Sequence, residues 1–212
     1  MLNKIDHVAV GAASLEQGVA ALETTLGVTV PPGGKHAAMS THNRVMRVGV
    51  ESFLEIIAID PAAPPPGRAR WFTLDEPATQ KRLAERPRAL CWVVGASDLD
   101  AIVANSPVDL GEIVPLSRGD LSWRLTVPKD GSLPEGGLIP AFIEWSPGAH
   151  PSTRMQDLGV ALKAVRLTHP EPKRLIELLT ALQIEHLADV AEGPRGLSFG
   201  LNTPAGGHVT ID

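Results

Sequence analysis

The N-terminal part of the chain alternates between short apolar runs and one amphipathic segment. Residues 4–11, KIDHVAVG, have the pattern of a strand, and residues 14–26, SLEQGVAALETTL, place leucine and valine at helical spacing. Ser14 is positioned to cap this helix, with Gln17 three residues on. The polar turn and apolar runs that follow predict three strands, so the first unit is read as strand, helix and three strands, ending near Asp60.

The same pattern returns later in the chain. Residues 89–100, ALCWVVGASDLD, align without a gap with residues 5–16, IDHVAVGAASLE. The run AFIEW at 141–145 aligns in the same way with SFLEI at 52–56. Internal repeats of this kind indicate a duplicated structural unit. The alignment puts Cys91 at the place of His7.

A fainter third copy follows, with a strand-like run, an amphipathic helix and three short strand candidates. The predicted organisation is therefore a first βαβββ unit in 1–60, a Pro-rich linker with a linking helix in 61–86, a second unit in 87–148 and a third, βαβββ-like unit in 159–212. This order of elements predicts an α+β fold built from two complete units and a third, fainter one.

Composition narrows the classes of partner. Across 212 residues the formal charge is -5, from 19 basic and 24 acidic side chains, so there is no basic surface for nucleic acid. No segment approaches the length of apolar chain that spans a membrane, so no membrane partner is expected. A single cysteine, Cys91, excludes intrachain disulfides and a Cys-rich zinc site. No apolar signal segment opens the sequence, and we expect a cytoplasmic protein.

Two ionisable side chains interrupt apolar strands of the first unit. His7 lies among Ile5, Val8 and Val10, and Glu55 lies inside the run FLEII. Burying such groups is costly unless they are paired, protonated or bound to a ligand. One interpretation of His7 is a neutral core histidine that bonds a backbone carbonyl; the other is a site shared with Glu55.

The repeat favours the shared site. The alignment of AFIEW with SFLEI places Glu144 at the position of Glu55, so His7, Glu55 and Glu144 are predicted to lie together. Two neighbouring carboxylates would raise each other's pKa and could act as general acid and base.

Several short segments resemble the glyoxalase-like domain family of the vicinal oxygen chelate superfamily, which includes glyoxalase I, extradiol dioxygenases and bleomycin-resistance proteins. These segments are GGKH at 33–36, the turn Thr41-His42-Asn43, FLEI, and PAFIEW followed by His150-Pro151. The resemblance implies that paired βαβββ units curl into an open, incompletely closed barrel-like sheet. It also implies that the first and last strands of each unit point His7, Glu55, Cys91 and Glu144 inward.

The resemblance further implies a small-molecule enzyme of the lyase, isomerase or dioxygenase type that acts on a vicinal-oxygen substrate. His7, Glu55 and Glu144 would be the catalytic residues and would ligate a divalent metal such as zinc, nickel, manganese or iron. Cys91 departs from the usual ligand types, and is either a thiolate ligand or a small core residue.

Four further residues are candidates for substrate binding: His36, Asn43, Cys91 and Arg124. His36 and Asn43 lie on polar segments that could line the mouth of the barrel, although His36 is equally an ordinary loop histidine. Arg124 would suit an anionic substrate through paired hydrogen bonds, or is a solvated strand residue.

Other function classes stay open at this level. A non-catalytic binding or resistance protein would use the same cavity without a metal, and a structural module would fill it with side chains. An odd number of units leaves one without an intrachain partner, so either a homodimer forms or the third unit packs outside the first two.

Overall fold

The computed structural model describes residues 3–212 and has an α+β architecture. The first unit contains β1 (Lys4–Gly11), α1 (Leu15–Leu26), β2 (Lys35–His36), β3 (Thr41–Gly49) and β4 (Ser52–Ile59). Helix α1 begins where Ser14 accepts a hydrogen bond from the Gln17 backbone, and it ends at Gly27, whose φ of 68° is left-handed. Glycine adopts this conformation without a steric penalty.

The remaining elements follow the predicted order. The linker contains α2 (Pro77–Glu85), and the second unit contains β5 (Arg88–Gly95), α3 (Leu99–Asn105), β6 (Glu112–Arg118), β7 (Leu121–Val127) and β8 (Ala141–Trp145). The third contains β9 (Ala161–His169), α4 (Pro172–Ala181), β10 (Asp189–Glu192), β11 (Gly196–Asn202) and β12 (His208–Ile211). None of the helices in residues 3–212 combines the length and apolarity needed to cross a membrane.

The first two units share one eight-stranded sheet in the order β2-β3-β4-β1-β5-β8-β7-β6. Strands β1 and β5 pair antiparallel at its centre, while β1 pairs parallel with β4 and β5 pairs parallel with β8. The sheet curls into a nearly closed barrel with one unsealed seam, between its edge strands β2 and β6. The predicted α+β fold with an incompletely closed barrel is confirmed.

The third unit has the predicted order of elements but a different strand pairing. Its four-stranded sheet has the order β10-β9-β11-β12, so β9 pairs parallel with β10 and antiparallel with β11. In the first unit, by contrast, β1 pairs with β4, the last strand of its unit. The third unit is therefore not a third copy of the same sheet.

Alternation of side chains across the barrel strands separates two apolar cores. The outer core contains Val10, Trp92 and Phe142 from the barrel together with Val165 and Phe199 from the third unit. The third unit thus packs against the outside of the barrel. The inner core is formed by side chains that point into the barrel, and these define the cavity.

Candidate active site

The inside of the barrel contains a narrow cavity of about 40 Å³, and the empty space reaches about 500 Å³ only when the open solvent at its mouth is included. Five aromatic side chains contribute to its wall: Phe53, Trp71, Phe72, Trp123 and Trp145. Its polar lining consists of His7, Asn43, Glu55 and Arg118. A concave, mostly apolar pocket with a few converging polar groups is typical of a small-molecule site.

An irregularity in β1 brings Asp6 and His7 together. The pairing of β1 with β5 changes register between Ile5 and His7, which is a β-bulge at Asp6. In a regular strand these consecutive side chains would point to opposite faces. Here the Asp6 Oδ1 atom lies 2.6 Å from the His7 Nδ1 atom, and both side chains are buried.

Asp6 is held as a carboxylate by two further donors. The Trp145 indole N–H donates to Asp6 Oδ2 at 2.7 Å, and His150 Nε2 lies 2.9 Å from the same oxygen. Burial alone would raise the pKa of Asp6, but hydrogen bonds from His150 and His7 and the electrostatic attraction of the two imidazoles outweigh it and lower the pKa to about 2. An ionised Asp6 accepts from His7 Nδ1–H, which leaves the His7 Nε2 lone pair facing the cavity.

Glu55 faces His7 across a short gap. The His7 Nε2 atom lies 3.8 Å from Glu55 Oε2, while the Asn43 amide donates to Glu55 Oε1 at 2.6 Å. The oxygen of the same amide fixes its orientation, because Asn43 Oδ1 accepts hydrogen bonds from the Gly34 backbone N–H and from Arg118. Asn43 therefore fixes one carboxylate oxygen of Glu55 and leaves the other free toward His7.

His36 is a buried neutral imidazole behind this pair. Its Nδ1 atom lies 3.0 Å from Thr41 Oγ1, and its Nε2 atom lies 3.9 Å from Glu55 Oε1. Burial lowers its pKa to about 4, although the charge of Glu55 opposes the shift. His36 is not the exposed loop histidine of the alternative interpretation, and it stays uncharged near neutral pH.

The structure does not bring Glu144 and Arg124 into the cavity. Glu144 accepts from the Leu99 backbone N–H and from Arg124, each at 2.8 Å, on the outer face beside α3. Arg124 also donates to Asp100 at 2.8 Å and is partly exposed. The expectation that Glu144 shares a site with Glu55, and that Arg124 binds substrate there, is corrected.

The reason is the register of β8. The Ala12 N–H donates to the Ile57 carbonyl at 3.0 Å, and the repeat-equivalent Ala96 N–H donates to the Ile143 carbonyl at 2.7 Å. Ile143 is thus the counterpart of Ile57, and Ala141, not Glu144, is the counterpart of Glu55. An alignment based on the letters of FLEI and FIEW is displaced by three residues, and an odd displacement turns a side chain to the other face.

The donor set does not fit the expected divalent metal. In the second unit, the places of His7 and Glu55 are taken by Cys91 and Ala141, and Ala141 has no donor atom. Burial, followed by the charge of Glu55, raises the pKa of the Cys91 thiol well above its usual value, which opposes a thiolate ligand. Among residues 3–212, no three His, Cys, Asp or Glu side chains converge closely enough to hold a metal ion.

Sequence reasoning missed three polar residues of the site: Asp6, His150 and Arg118. Asp6 directly precedes His7, and consecutive residues of a regular strand point to opposite faces, so Asp6 is not expected in the site of His7. Only the bulge brings them together, and nothing in the sequence reveals the bulge. His150 belongs to the segment His150-Pro151, which contributes to the family resemblance. That segment is a sequence signal from which His150 could have been assigned to the site. Arg118 projects across the seam from an edge strand, and its placement depends on how the barrel closes.

Comparison with known proteins adds the following findings. The model of the family described as glyoxalase-like domain matches residues 5–183. A crystal structure of a hypothetical protein from Staphylococcus aureus is 15% identical, with a TM-score of 0.62, and the match covers 100% of this chain and 86% of that chain. Methylmalonyl-CoA epimerase from Mycobacterium tuberculosis is 19% identical, with a TM-score of 0.44, over 69% of this chain and 89% of that chain. A comparison with curated proteins yields no match.

Proposed function

The chain belongs to the glyoxalase-like domain family, and on this premise we propose that it is a small-molecule enzyme that transfers protons in the barrel cavity. His7 is the general base, Glu55 is the second acid–base group, and Asp6 positions His7. The observation that carries this proposal is the buried Asp6–His7 hydrogen bond, which aims His7 Nε2 at Glu55 across 3.8 Å.

The gap between His7 and Glu55 has the chemistry of a proton-transfer site. Two hydrogen-bond acceptors face each other there, so a substrate group that carries an acidic proton completes the arrangement. When His7 Nε2 takes that proton, the imidazolium formed is stabilised by the Asp6 carboxylate on its other nitrogen. The bonding pair stays with the substrate, on an oxygen next to the reacting atom.

The second half of the reaction assigns a role to Glu55. The proton that His7 has taken up is returned, directly or by way of Glu55 Oε2, to a different atom of the substrate in an isomerisation, or to a departing neighbouring group in a lyase reaction, and both side chains regain their starting forms. Of the reaction types implied by the family resemblance, these two match the residues present. Because the donor set does not fit a divalent metal, no step of the proposed reaction uses one.

A non-catalytic binding protein is the second candidate. It is favoured by one observation, the five aromatic side chains among the residues that line the cavity. In that case the Asp6–His7–Glu55 array would serve only to hold a polar group of the ligand.

A deuterium-exchange experiment distinguishes the acid–base enzyme from the non-catalytic binding protein. A panel of α-hydroxy ketones and α-keto acids is incubated with the protein in D₂O, and loss of the C–H signal is followed by proton NMR. We expect exchange by the wild-type protein, and a loss of roughly 100-fold or more in His7→Gln and Glu55→Gln, the range typical of a lost general acid or base.

Glu144→Gln is the matched control for Glu55→Gln, because it makes the same chemical change on the outer face of the barrel. It should leave exchange unchanged. Exchange that is equally fast in Glu55→Gln and the wild type would exclude Glu55 from the reaction. Ligand binding with no exchange across the panel would favour the binding protein.

A further inference from the structure

Aromatic side chains are concentrated around the cavity. The chain has four tryptophans, four phenylalanines and no tyrosine, and five of these eight aromatic residues contribute to the cavity wall. Trp123 and Trp145 lie 5.2 Å apart at an angle of 45°, and Trp71 and Phe72 are stacked at 5.2 Å. Flat, rigid side chains that line one cavity complement a planar ring, which gains stacking contacts from them.

One cation, Arg118, reaches the same cavity. It donates to Asn43 Oδ1 at 3.2 Å, and among the ion pairs found within residues 3–212 it has no carboxylate partner. Arg124 is the contrast, because Asp100 and Glu144 occupy its guanidinium. A guanidinium has five N–H donors in a planar fork, so Arg118 retains donors for a carboxylate.

The fold makes room for this arginine. A Cβ atom on Gly34 would lie 2.6 Å from Arg118 Nη1 and 2.7 Å from its Cδ, which is closer than such contacts allow. Glycine at this position lets the arginine cross the seam from β6 to Asn43. Trp71, another wall residue, carries a buried indole N–H with no acceptor in the described part of the chain, an unmet donor that a ligand oxygen would satisfy.

We infer that the cavity takes a planar aromatic acid. The ring lies against the aromatic side chains that line the cavity and its open mouth, and the carboxylate lies on Arg118. Asn43 contacts Arg118 through Oδ1 and Glu55 through Nδ2, so the atoms next to a carboxylate on Arg118 lie toward Glu55 and His7. The role of His7 and Glu55 toward the reacting atoms of this ligand rests on the proposed function. The binding of its ring and carboxylate, called here the binding end, does not.

Titration calorimetry with three probes tests the binding end. The probes are 2-naphthoate, its uncharged analogue 2-naphthamide, and decanoate, an acid without a ring. We expect 2-naphthoate to bind at least about 10-fold more tightly than either of the others, since one loses the charge-assisted hydrogen bonds and the other loses the stacking. If 2-naphthoate and 2-naphthamide bind equally tightly, the role assigned to the Arg118 cation is wrong. If decanoate binds as tightly as 2-naphthoate, the requirement for an aromatic ring is wrong.

Two arginine variants locate the anion. Arg118→Gln should lower the affinity for 2-naphthoate by about 10-fold or more and leave the affinity for 2-naphthamide unchanged. Arg124→Gln removes an arginine from the outer face and should leave both affinities unchanged. Quenching of tryptophan fluorescence provides a second readout, because Trp71, Trp123 and Trp145 line the cavity. A similar loss in both variants would contradict the assignment.

Glu55→Gln separates this inference from the proposed function. The variant should still bind 2-naphthoate, because Glu55 is assigned to proton transfer and not to the ring or the carboxylate. If the wild type exchanges deuterium but does not bind 2-naphthoate, the aromatic-acid assignment falls and the acid–base proposal stands. If binding follows the predictions and Glu55→Gln does not slow exchange, the acid–base proposal falls alone.

Discussion

A single carboxylate, that of Asp6, organises the polar side of the cavity. It accepts hydrogen bonds from His7, His150 and Trp145, and the Ser152 backbone N–H donates to His150 Nδ1 at 3.2 Å. The proton of His150 is therefore on Nε2, toward Asp6. Each hydrogen bond fixes the orientation of one ring, and together they bring three rings from separate segments around one buried negative charge.

The buried histidine His36 makes a specific prediction about acid stability. Its pKa is about 4 in the folded protein and 6.5 ordinarily, so the unfolded chain takes up this proton first as the pH falls. Stability is full above about pH 6.5 and is lost progressively toward pH 4, by about 3 kcal/mol from this residue. Urea unfolding at pH 7 and pH 4.5 measures the loss.

His36→Gln should flatten this pH dependence, because a glutamine does not titrate. His208→Gln is the matched control: His208 is exposed, and its replacement should leave the slope unchanged. Protonation of Asp6, whose ordinary pKa is 3.8, belongs to a more acidic range and does not interfere. A slope that is identical in wild type and His36→Gln would contradict the assigned cause.

The part of the site that could be predicted from sequence is the part that rests on local pattern. His7 and Glu55 stand out because each interrupts an apolar strand, and both line the cavity. Asp6 could not be predicted, because its approach to His7 depends on a bulge set by the pairing of β1 with β5. Arg118 could not be predicted either, because it acts across the seam between distant strands.

At the scale of elements, β8 decides what the second half of the barrel can do. Sequence predicts the strand correctly, yet similar letters in two strands do not fix which residue pairs with which neighbour. Backbone pairing places Val93 opposite Ala141 and Ala9 opposite Glu55. The side chains that face inward from β8 are consequently Ala141, Ile143 and Trp145, and Glu144 joins the outer face.

This register predicts how a metal site could be built. The double variant Cys91→His, Ala141→Glu would add two donors at the places that correspond to His7 and Glu55. We expect it to bind zinc or nickel close to stoichiometrically, measured by metal analysis of untagged protein after dialysis. The wild type should retain far less.

The single variant Cys91→His is the control. If Glu144 faced the cavity, this variant would already complete a four-residue set and would bind metal as well as the double variant does. Circular dichroism and a thermal melt confirm that each variant is folded. Strong binding by the single variant would contradict the assigned register.

At the scale of the whole molecule, the third unit completes the outside of the barrel. Its Phe199 is fully buried in the same core as Trp92 and Phe142. Sequence predicted a third unit from its order of elements, but its own strand order and its place on the barrel depend on tertiary packing. Because the core is shared, we expect the third unit and the barrel to unfold together.

Phe199→Ala tests this cooperation, with an expected loss of about 3–5 kcal/mol in the free energy of unfolding. All four tryptophans lie in residues 71–145, outside the third unit, so their fluorescence follows unfolding of the linker and the barrel, and Trp92 also senses the core shared with Phe199. The fluorescence transition should shift to lower urea together with the circular dichroism transition. Ile176→Ala, at a position 42% exposed, should change little, and a barrel transition unaffected by Phe199→Ala would show independent units.

The unequal halves of the barrel carry a stereochemical consequence. The two units form corresponding halves of the sheet on either side of the β1–β5 pairing, but His7 and Glu55 have Cys91 and Ala141, which carry no acid–base group for this chemistry, as their counterparts. A flat substrate in this cavity would meet its acid–base groups on the side of the first unit only. Under the proposed function, a prochiral carbon would then gain hydrogen from one side, and the barrel would release a single enantiomer.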